Sequence, residues 1–327
     1  MHGSILVTGG AGYIGSHVAL QLRTRGEQVV VLDDLSRGFR QAVLDAPLMV
    51  GKVGDRDTVL RVLREHGVDT VMHFAAYTIV PESVSEPLKY YGNNTCSTRT
   101  LLECCVGAKV AHFVFSSTAA VYGEPEQTPI PETAPPRPTS PYGASKVAVD
   151  TALTEYARLH GFGAVSLRYF NVAGAFQTAE GEWLGERHMP ETHLIPNVLG
   201  QGEARLSVRI NGIDYPTPDG TCVRDYIHVA DLADAHLLAL AACGQGRHRV
   251  YNLGNGAGFS VRQVIDVCRE VTGREIAVEE GPRRAGDPAV LVASSQLIQA
   301  ELGWRATRGL EAMVADAWQC LLARAGR

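Results

Sequence analysis

The chain has few of the features that mark secreted, membrane or nucleic-acid-binding proteins. Its seven cysteines are an odd number and include no CxxC pair, so we expect free thiols in a reducing cytosol. The longest apolar runs fall well short of a membrane span, and a strand beginning at Ser4 or Ile5 leaves no room for a signal peptide. A net charge of −5 shows no basic excess. We therefore expect a cytoplasmic protein without a membrane or nucleic-acid partner.

The residues that are present indicate an α/β protein. The 327 residues suffice for about two domains and a sizeable core. In the first half, continuous apolar strands alternate with helices: strands are predicted at 5–8 and 28–32, with a helix at 16–25 between them. Continuous apolar strands separated by helices are typical of a parallel sheet covered on both faces. The sequence therefore predicts a doubly wound, Rossmann-like parallel sheet.

A second, smaller region is expected to be interleaved with the sheet domain. Residues 174–221 carry many Gly, Pro and His and little periodicity, after which the helix and strand pattern returns. We expect a sheet domain of residues 1–172 and about 224–254, and a second domain of about 173–223 and 255–327. The Pro-rich stretch 124–141 is interpreted as a surface loop.

A glycine-rich turn follows the first strand in "ILVTGGAGYIGSH". Gly10, Gly12 and Gly15 match G-x-G-x-x-G, and Gly9, Gly12 and Gly15 match its G-x-x-G-x-x-G relative. Glycines let such a turn close tightly and approach a pyrophosphate at the helix N-terminus. Asp33 ends the next strand, where a carboxylate would bind a ribose. The strand–turn–helix context favours NAD binding over a merely structural turn, and the carboxylate favours NAD over NADP.

A second motif, "SPYGASK", carries a tyrosine and a lysine four residues apart. Tyr142 and Lys146 lie on one face of a predicted helix. A phenol has a pKa of about 10, and a nearby ammonium lowers it, so Tyr142 could act as a general base and acid. Thr118, after another strand, could orient a substrate oxygen. The pair is common by chance, and its coincidence with the glycine turn favours a catalytic role.

Together these motifs resemble those of the extended short-chain dehydrogenase/reductase family, and within it the 4-epimerases of UDP-sugars. The likeness also rests on "HFAA", "YYGNNT", "FSSTAAVYGEP", "RYFNVAGA", "DYPTPDGTCVRDYIHVADLADAH", "YNLGNG" and "PRRAGDPA". It extends from Ile5 to about Trp304. The glycine turn and the Tyr-x-x-x-Lys pair occur throughout the family, whereas the long "DYPT…DLADAH" motif and "PRRAGDPA" are much more specific to the epimerases.

The resemblance implies an isomerase that interconverts UDP-galactose and UDP-glucose with bound NAD. By that likeness, Tyr142 takes the proton of the sugar 4-hydroxyl while C4 gives hydride to NAD. The 4-keto sugar then turns, and hydride returns to its other face. Because the sugar must turn, we expect the firm contacts to be made with UDP. The resemblance further implies a homodimer, with NAD bound by the sheet domain and the UDP-sugar by the second domain.

The resemblance also assigns binding residues. The cofactor residues are Gly9, Gly12, Tyr13, Ile14, Gly15, Asp33, Asn93, Lys146 and Tyr169. The substrate residues are Thr118, Tyr142, Asn171, His193, Leu194, Arg224, Arg284 and Asp287. For each arginine the alternative is a surface ion pair. Leu291 occupies a position that limits the sugar pocket in the family, which favours UDP-glucose and UDP-galactose; its alternative is a core residue.

Four positions depart from the family pattern, one of which is His193, where an Asn near the uracil is common. Lys52 stands where an adenine-contacting Asp is common, Thr78 where a Lys near the NAD phosphates is common, and Asn211 where an aromatic residue near the uracil is common. These departures predict a weaker hold on NAD and a more polar base pocket.

The same fold also supports other functions, and single residues of this sequence bear on some of them. A 4,6-dehydratase needs an added acid and base after the threonine, but Ala119 and Ala120 follow Thr118. Epimerisation of a UDP-N-acetylhexosamine, UDP-pentose or UDP-hexuronic acid stays open, as does a non-catalytic NAD-binding protein.

No metal site is predicted. His188 and His193 are five residues apart, and no carboxylate cluster is recognised beside them.

Overall fold

The computed structural model describes residues 3–200, 206–284 and 287–326. Ala285 and Gly286 of "PRRAGDPA" lie outside the described residues. The strands are β1 Ser4–Thr8, β2 Val29–Asp33, β3 Leu48–Val50, β4 Val68–His73, β5 His112–Thr118, β6 Gly163–Tyr169, β7 Asn171–Ala173, β8 Ala175–Gln177, β9 Trp183–Gly185, β10 Leu206–Asn211, β11 Val223–Arg224, β12 Tyr226–His228, β13 His248–Leu253, β14 Phe259–Ser260, β15 Ile276–Gly281 and β16 Val290–Leu291. The α-helices are α1 Tyr13–Thr24, α2 Arg56–Glu65, α3 Val80–Ser85, α4 Pro87–Tyr90, α5 Ser97–Ala108, α6 Pro141–His160, α7 Leu194–Leu199, α8 Val229–Ala242, α9 Val261–Thr272, α10 Gln296–Leu302 and α11 Leu310–Arg324.

The chain divides into two compact units. The first contains the residues up to Gly123 together with Pro135–Arg168 and Ala233–Tyr251, and the second contains Glu124–Ala134, Tyr169–Leu232 and the chain from Asn252. These bounds differ from the predicted domain boundaries, mainly at 124–134. The assignment of NAD to one domain and UDP-sugar to the other stays a prediction.

A seven-stranded sheet organises the first unit. Its strand order is β13-β6-β5-β4-β1-β2-β3. β1 runs parallel to β2 and to β4, with Ile5 paired to Val29 on one side and Thr70 on the other, and the β2–β3 and β4–β5 pairs are also parallel. All residues of β2 are buried, as expected for a strand covered on both faces. The predicted doubly wound parallel sheet is confirmed.

The helices of this unit cover the sheet with apolar faces that can be read in the sequence. In α2, Val59, Val62 and Leu63 recur at helical spacing and are buried in the core. The helix begins at Arg56 because the Asp55 carboxylate accepts backbone N–H groups of its first turn.

The second unit is built from short strands whose partners are distant in sequence. β7 pairs in parallel with β12, joining Asn171 to Tyr226, and β10 pairs in parallel with β15. β11 lies between β14 and β16. The sequence showed little periodicity here because each strand has only two to six residues, too few for a readable pattern.

Part of the Pro-rich stretch is buried rather than on the surface. Ile130 is fully buried, its N–H donates to the Val292 carbonyl at 2.8 Å, and its carbonyl accepts from the Asn252 side chain at 2.9 Å. The interpretation of 124–141 as a surface loop is therefore wrong at Ile130, because an apolar residue inside this stretch packs within the second unit.

The cysteines are free thiols, of which Cys96 is exposed and the other six are buried. Among the helices of the described residues, none has both the length and the apolar character that crossing a membrane requires.

Asp225 connects three segments of the second unit. Its side chain is fully buried. It accepts backbone N–H groups from Asn255 at 2.8 Å, Gly256 at 2.9 Å and Ala293 at 3.0 Å. A buried carboxylate is tolerated when such donors replace its lost hydration.

Asp225→Ala should lower the free energy of unfolding by about 3 kcal/mol or more, because three backbone N–H groups, that of the buried Ala293 among them, lose their charged acceptor. Asp266→Ala removes an exposed carboxylate that pairs only with Arg269 on the same helix, and should change the value by less than about 0.5 kcal/mol. Urea unfolding of both variants measures the difference, and equal losses would contradict the role of Asp225.

Candidate active site

The glycine turn forms a cradle at the N-terminus of α1. A Cβ on Gly15 would lie 2.3 Å from the Gly9 carbonyl oxygen, so only glycine lets the helix meet the end of β1 this closely. Gly12 precedes α1, and no side chain caps the helix. The N–H groups of its first turn, which begins with Tyr13 and Ile14, are therefore suited to a phosphate. This cradle fits the pyrophosphate of NAD.

Asp33 lies at the end of β2, and its carboxylate oxygens can accept further hydrogen bonds. Its Oδ2 accepts the Ala11 N–H at 2.9 Å and its Oδ1 accepts the Leu35 N–H at 2.8 Å. Burial raises the pKa of Asp33, and these two hydrogen bonds oppose that effect. Each carboxylate oxygen keeps a further lone pair, so the pair can accept the two hydroxyls of a ribose.

The predicted cofactor residue Asn93 lies in a π-helix at Tyr91–Cys96. Its side chain donates to Asn94 Oδ1 at 3.2 Å, and that oxygen also accepts the Tyr77 N–H at 2.9 Å. Asn94 Nδ2 donates to Ser145 Oγ at 3.1 Å, beside Lys146 on α6. Asn94, the second asparagine of "YYGNNT", therefore links this π-helix to α6. Single π-turns frequently occur at functional sites.

The start of α6 explains the residues of "SPYGASK". The Ser140 hydroxyl caps the helix by accepting the Gly143 N–H at 3.2 Å. A Cβ on Gly143 would lie 2.4 Å from the Ala120 carbonyl oxygen. Glycine therefore lets the first turn of α6, which carries Tyr142, pack directly on the segment that follows Thr118.

Thr118, Tyr142 and Lys146 meet in a nearly water-free environment. Thr118 and Tyr142 are each 9% exposed and are joined by a side-chain hydrogen bond. Burial raises the pKa of Tyr142, partly offset by Thr118, so the expected lowering by Lys146 is not found. The Lys146 ammonium donates to the Ser116 carbonyl at 2.8 Å, and burial lowers its own pKa to about 7. Desolvation is the largest cause of both pKa shifts.

The remaining predicted cofactor residue is Tyr169, the last residue of β6, which is buried. Lys52 and Thr78, where the chain departs from the family pattern, are both exposed.

A cavity of about 960 Å³ lies in the second unit. Its lining includes six of the predicted substrate residues: Asn171, His193, Leu194, Arg224, Arg284 and Asp287. Asn211, Cys222 and Tyr226 also line it. The cavity is in the size range of small-molecule sites. The structure thus brings together residues that are up to 116 positions apart (287 − 171).

The charged groups of this cavity form a pair rather than isolated surface charges. The Arg224 guanidinium pairs with the Asp287 carboxylate and also donates to the Val223 carbonyl at 2.7 Å. Both side chains are more than two-thirds buried. Arg284 is exposed. A guanidinium has five N–H donors in a planar fork, so a partly paired Arg224 can still bind a diphosphate.

The loop before α7 brings together Glu186, His188, Glu191 and His193. The premise that no carboxylates accompany the two histidines is therefore wrong, because the loop folds Glu186 and Glu191 onto them. Burial would raise the pKa of Glu186, but the two histidines outweigh it and lower that pKa. Burial would lower the pKa of His193, but the two carboxylates raise it.

The sequence as a whole was compared with known proteins. The model of the NAD dependent epimerase/dehydratase family matches residues 5–254. The chain belongs to this family. Membership confirms the resemblance drawn from the motifs and makes the chain an NAD-dependent enzyme. The intact Thr118, Tyr142 and Lys146 are consistent with that membership.

Individual members of the NAD dependent epimerase/dehydratase family match over nearly the full length. The chain is 53% identical to the UDP-glucose 4-epimerase of Streptomyces lividans over 98% of its length and 96% of the relative's. The UDP-glucose 4-epimerase of Brucella ovis, solved in complex with NAD, is 40% identical, with a TM-score of 0.91 and coverage of 97% and 98%. That of Bifidobacterium longum, solved with NAD+ and UDP, is 36% identical, with a TM-score of 0.90 and coverage of 98% of each chain.

The lowered pKa of Lys146 predicts a pH-dependent stability of the NAD-free protein. The folded chain releases the lysine proton near pH 7, whereas the unfolded chain holds it to about pH 10. Because the unfolded state binds more protons between these values, the free energy of unfolding should rise with pH relative to Lys146→Met, by up to about 1.4 kcal/mol per unit. Urea unfolding between about pH 6 and 9 tests this. A constant difference would refute it, and Lys52→Met controls for the loss of an exposed lysine.

Proposed function

We propose that this chain interconverts UDP-galactose and UDP-glucose by inverting the configuration at C4 of the sugar. The observation that carries the proposal is the 53% identity to a UDP-glucose 4-epimerase across 98% of the chain. Identity at that level over nearly the full length of both chains shows that they share the fold. The buried Thr118–Tyr142–Lys146 group supports the same chemistry independently.

Three residues of the first unit would carry the proton transfer. Bound NAD supplies a hydride acceptor and donor for C4, together with a positively charged ring. Tyr142 removes the proton of the 4-hydroxyl and returns it after the sugar has turned. The Thr118 hydroxyl, hydrogen-bonded to Tyr142, holds the substrate oxygen in line with the phenol. Lys146 favours the phenolate only while its ammonium is charged, and burial lowers the pKa of that ammonium to about 7.

Residues of the second unit would bind the nucleotide. Arg224 and Arg284 offer guanidinium donors suited to a diphosphate, and Asp287 offers a carboxylate for ribose hydroxyls. Asn171 is held by its side-chain hydrogen bond to the Asp225 carbonyl at 3.0 Å. Binding energy concentrated on UDP leaves the sugar free to turn, which the epimerisation requires.

Two single-residue observations bear on the alternative reactions. Ala119 and Ala120 form a 3-10 turn directly after Thr118, where a dehydratase would need an acid and a base. Leu291 pairs with Arg224 in the β11–β16 ladder and is half-buried, and its bulk favours sugars without an N-acetyl group. The reaction on UDP-N-acetylhexosamines, pentoses or hexuronic acids is therefore the less supported alternative. A homodimer is proposed from the family resemblance alone, and a cytoplasmic location from the free thiols.

Tyr142→Phe should lower the epimerase rate by at least about 100-fold, because it removes the group that transfers the proton. Proton NMR of UDP-galactose with the purified protein follows the anomeric signals of UDP-glucose. Tyr156→Phe, a half-buried tyrosine on the same helix, is the matched control and should keep wild-type activity. Full activity of Tyr142→Phe, or no conversion by the wild-type protein with NAD added, would refute the proposal.

Arg224→Gln should weaken UDP binding by about 10- to 100-fold, because a charge-assisted hydrogen bond contributes about 1.5–3 kcal/mol. Isothermal titration calorimetry with UDP measures the change. Arg262→Gln, which breaks an ion pair with Glu280 outside the residues that line the cavity, should leave the affinity unchanged. An unaltered affinity of Arg224→Gln would show that UDP does not bind here.

A further inference from the structure

We propose that Glu186, His188, Glu191 and His193 form a binding site for one divalent transition-metal ion of the zinc class. The four residues lie on the loop between β9 and α7. The inference does not depend on the epimerase reaction, since it rests on the arrangement of these side chains.

The four ligand atoms lie close enough together to converge on one ion. Glu186 Oε1 lies 2.9 Å from His188 Nδ1 and 2.5 Å from His193 Nδ1. Glu191 Oε1 lies 3.3 Å from His193 Nδ1 and 3.9 Å from His188 Nδ1, and one ligand atom from each residue lies within 4.8 Å of all the others. In a tetrahedral zinc site with bonds of about 2.0–2.1 Å, ligand atoms lie about 3.3 Å apart.

Glu191 provides an independent indication of a missing partner. Its side chain is only 5% exposed, and within the described part of the chain its Oε2 is buried without a hydrogen-bond partner. Its Oε1 accepts the N–H groups of Thr192 at 2.8 Å and His193 at 2.9 Å. A buried carboxylate oxygen without a partner is rare in proteins, and an ion held by both carboxylate oxygens of Glu191 would supply one.

The charge and chemistry of the cluster select the kind of ion. The two glutamates are both more than nine-tenths buried, and two neutral imidazoles leave the set with two negative charges, which a divalent ion neutralises. Two nitrogen and two oxygen donors suit zinc and similar ions, whereas calcium and magnesium prefer oxygen donors alone. The competing explanation is a set of ion pairs between protonated histidines and the carboxylates.

The loop is fixed at both ends, so the site is preorganised. Arg324 on α11 donates to the carbonyls of Gly185 at 2.8 Å and Glu186 at 2.6 Å. At the other end, Ile195 of α7 is buried in the core of the second unit. Because His188 and His193 also line the nucleotide cavity, the ion would hold one wall of that cavity, while the Nε2 atom of His193 stays available to a substrate.

The test uses the full-length, untagged protein after removal of metals with a chelator. Zn²⁺ titrated calorimetrically should bind once per chain. Co²⁺, used as a spectroscopic probe, should give the visible absorption of a tetrahedral site without a sulfur-to-cobalt charge-transfer band. Such a band would place the ion on a cysteine and overturn the proposal, as would the absence of micromolar binding of either ion.

Variants locate the site. His188→Gln and Glu191→Gln should each lower the Zn²⁺ affinity by at least about tenfold, the lower end of what loss of an outer-shell partner costs. His160→Gln and Cys96→Ser, both at exposed positions, should bind like the wild-type protein. Glu191→Gln keeps an acceptor oxygen for the N–H groups of Thr192 and His193, so we expect this variant to fold like the wild-type protein. Its thermal unfolding midpoint checks this. Unchanged affinity in both site variants overturns the proposal.

Discussion

Two contacts between backbone segments determine where the chemistry of the first unit takes place. Gly15 meets the Gly9 carbonyl and Gly143 meets the Ala120 carbonyl, and at neither contact is there space for a Cβ. Each contact lies in the first turn of a helix that follows a strand, so it sets both the position and the direction of the helix. The free N–H groups at the start of α1, which are proposed to bind phosphate, and the phenol of Tyr142 on α6 depend on these two approaches.

Burial then gives the side chains of α6 their chemical character. Lys146 and Tyr142 lose hydration, which disfavours the ammonium and the phenolate alike. One turn further along the helix, Asp150 is buried against Arg168 at 3.1 Å, and its charge partly restores the protonated form of Lys146. If the proposed roles hold, a positively charged cofactor ring bound near this phenol would favour its ionisation.

In the second unit, the candidate site residues are brought together by pairing between distant segments. Its strands are short, and the residues of its cavity come from separate stretches of the chain. Long-range strand pairing aligns Asn171 with Tyr226 and Arg224 with Leu291. The buried carboxylate of Asp225, between β11 and β12, connects these strands to further loops. Polar side chains from irregular segments are thereby held in fixed positions around one cavity.

The sequence alone determined the parallel sheet, the glycine turn and the Tyr142–Lys146 pair, because strand and helix periodicity and the steric demands of a tight turn act between near neighbours. Tertiary structure decided what depends on distant neighbours: the pairing of the short strands, the burial of Ile130, and the approach of Glu186 and Glu191 to His188 and His193. The pKa of Tyr142 is also decided by the tertiary structure. Spacing places a lysine beside it, but only the packing of the folded chain determines how much water is lost, and that desolvation dominates.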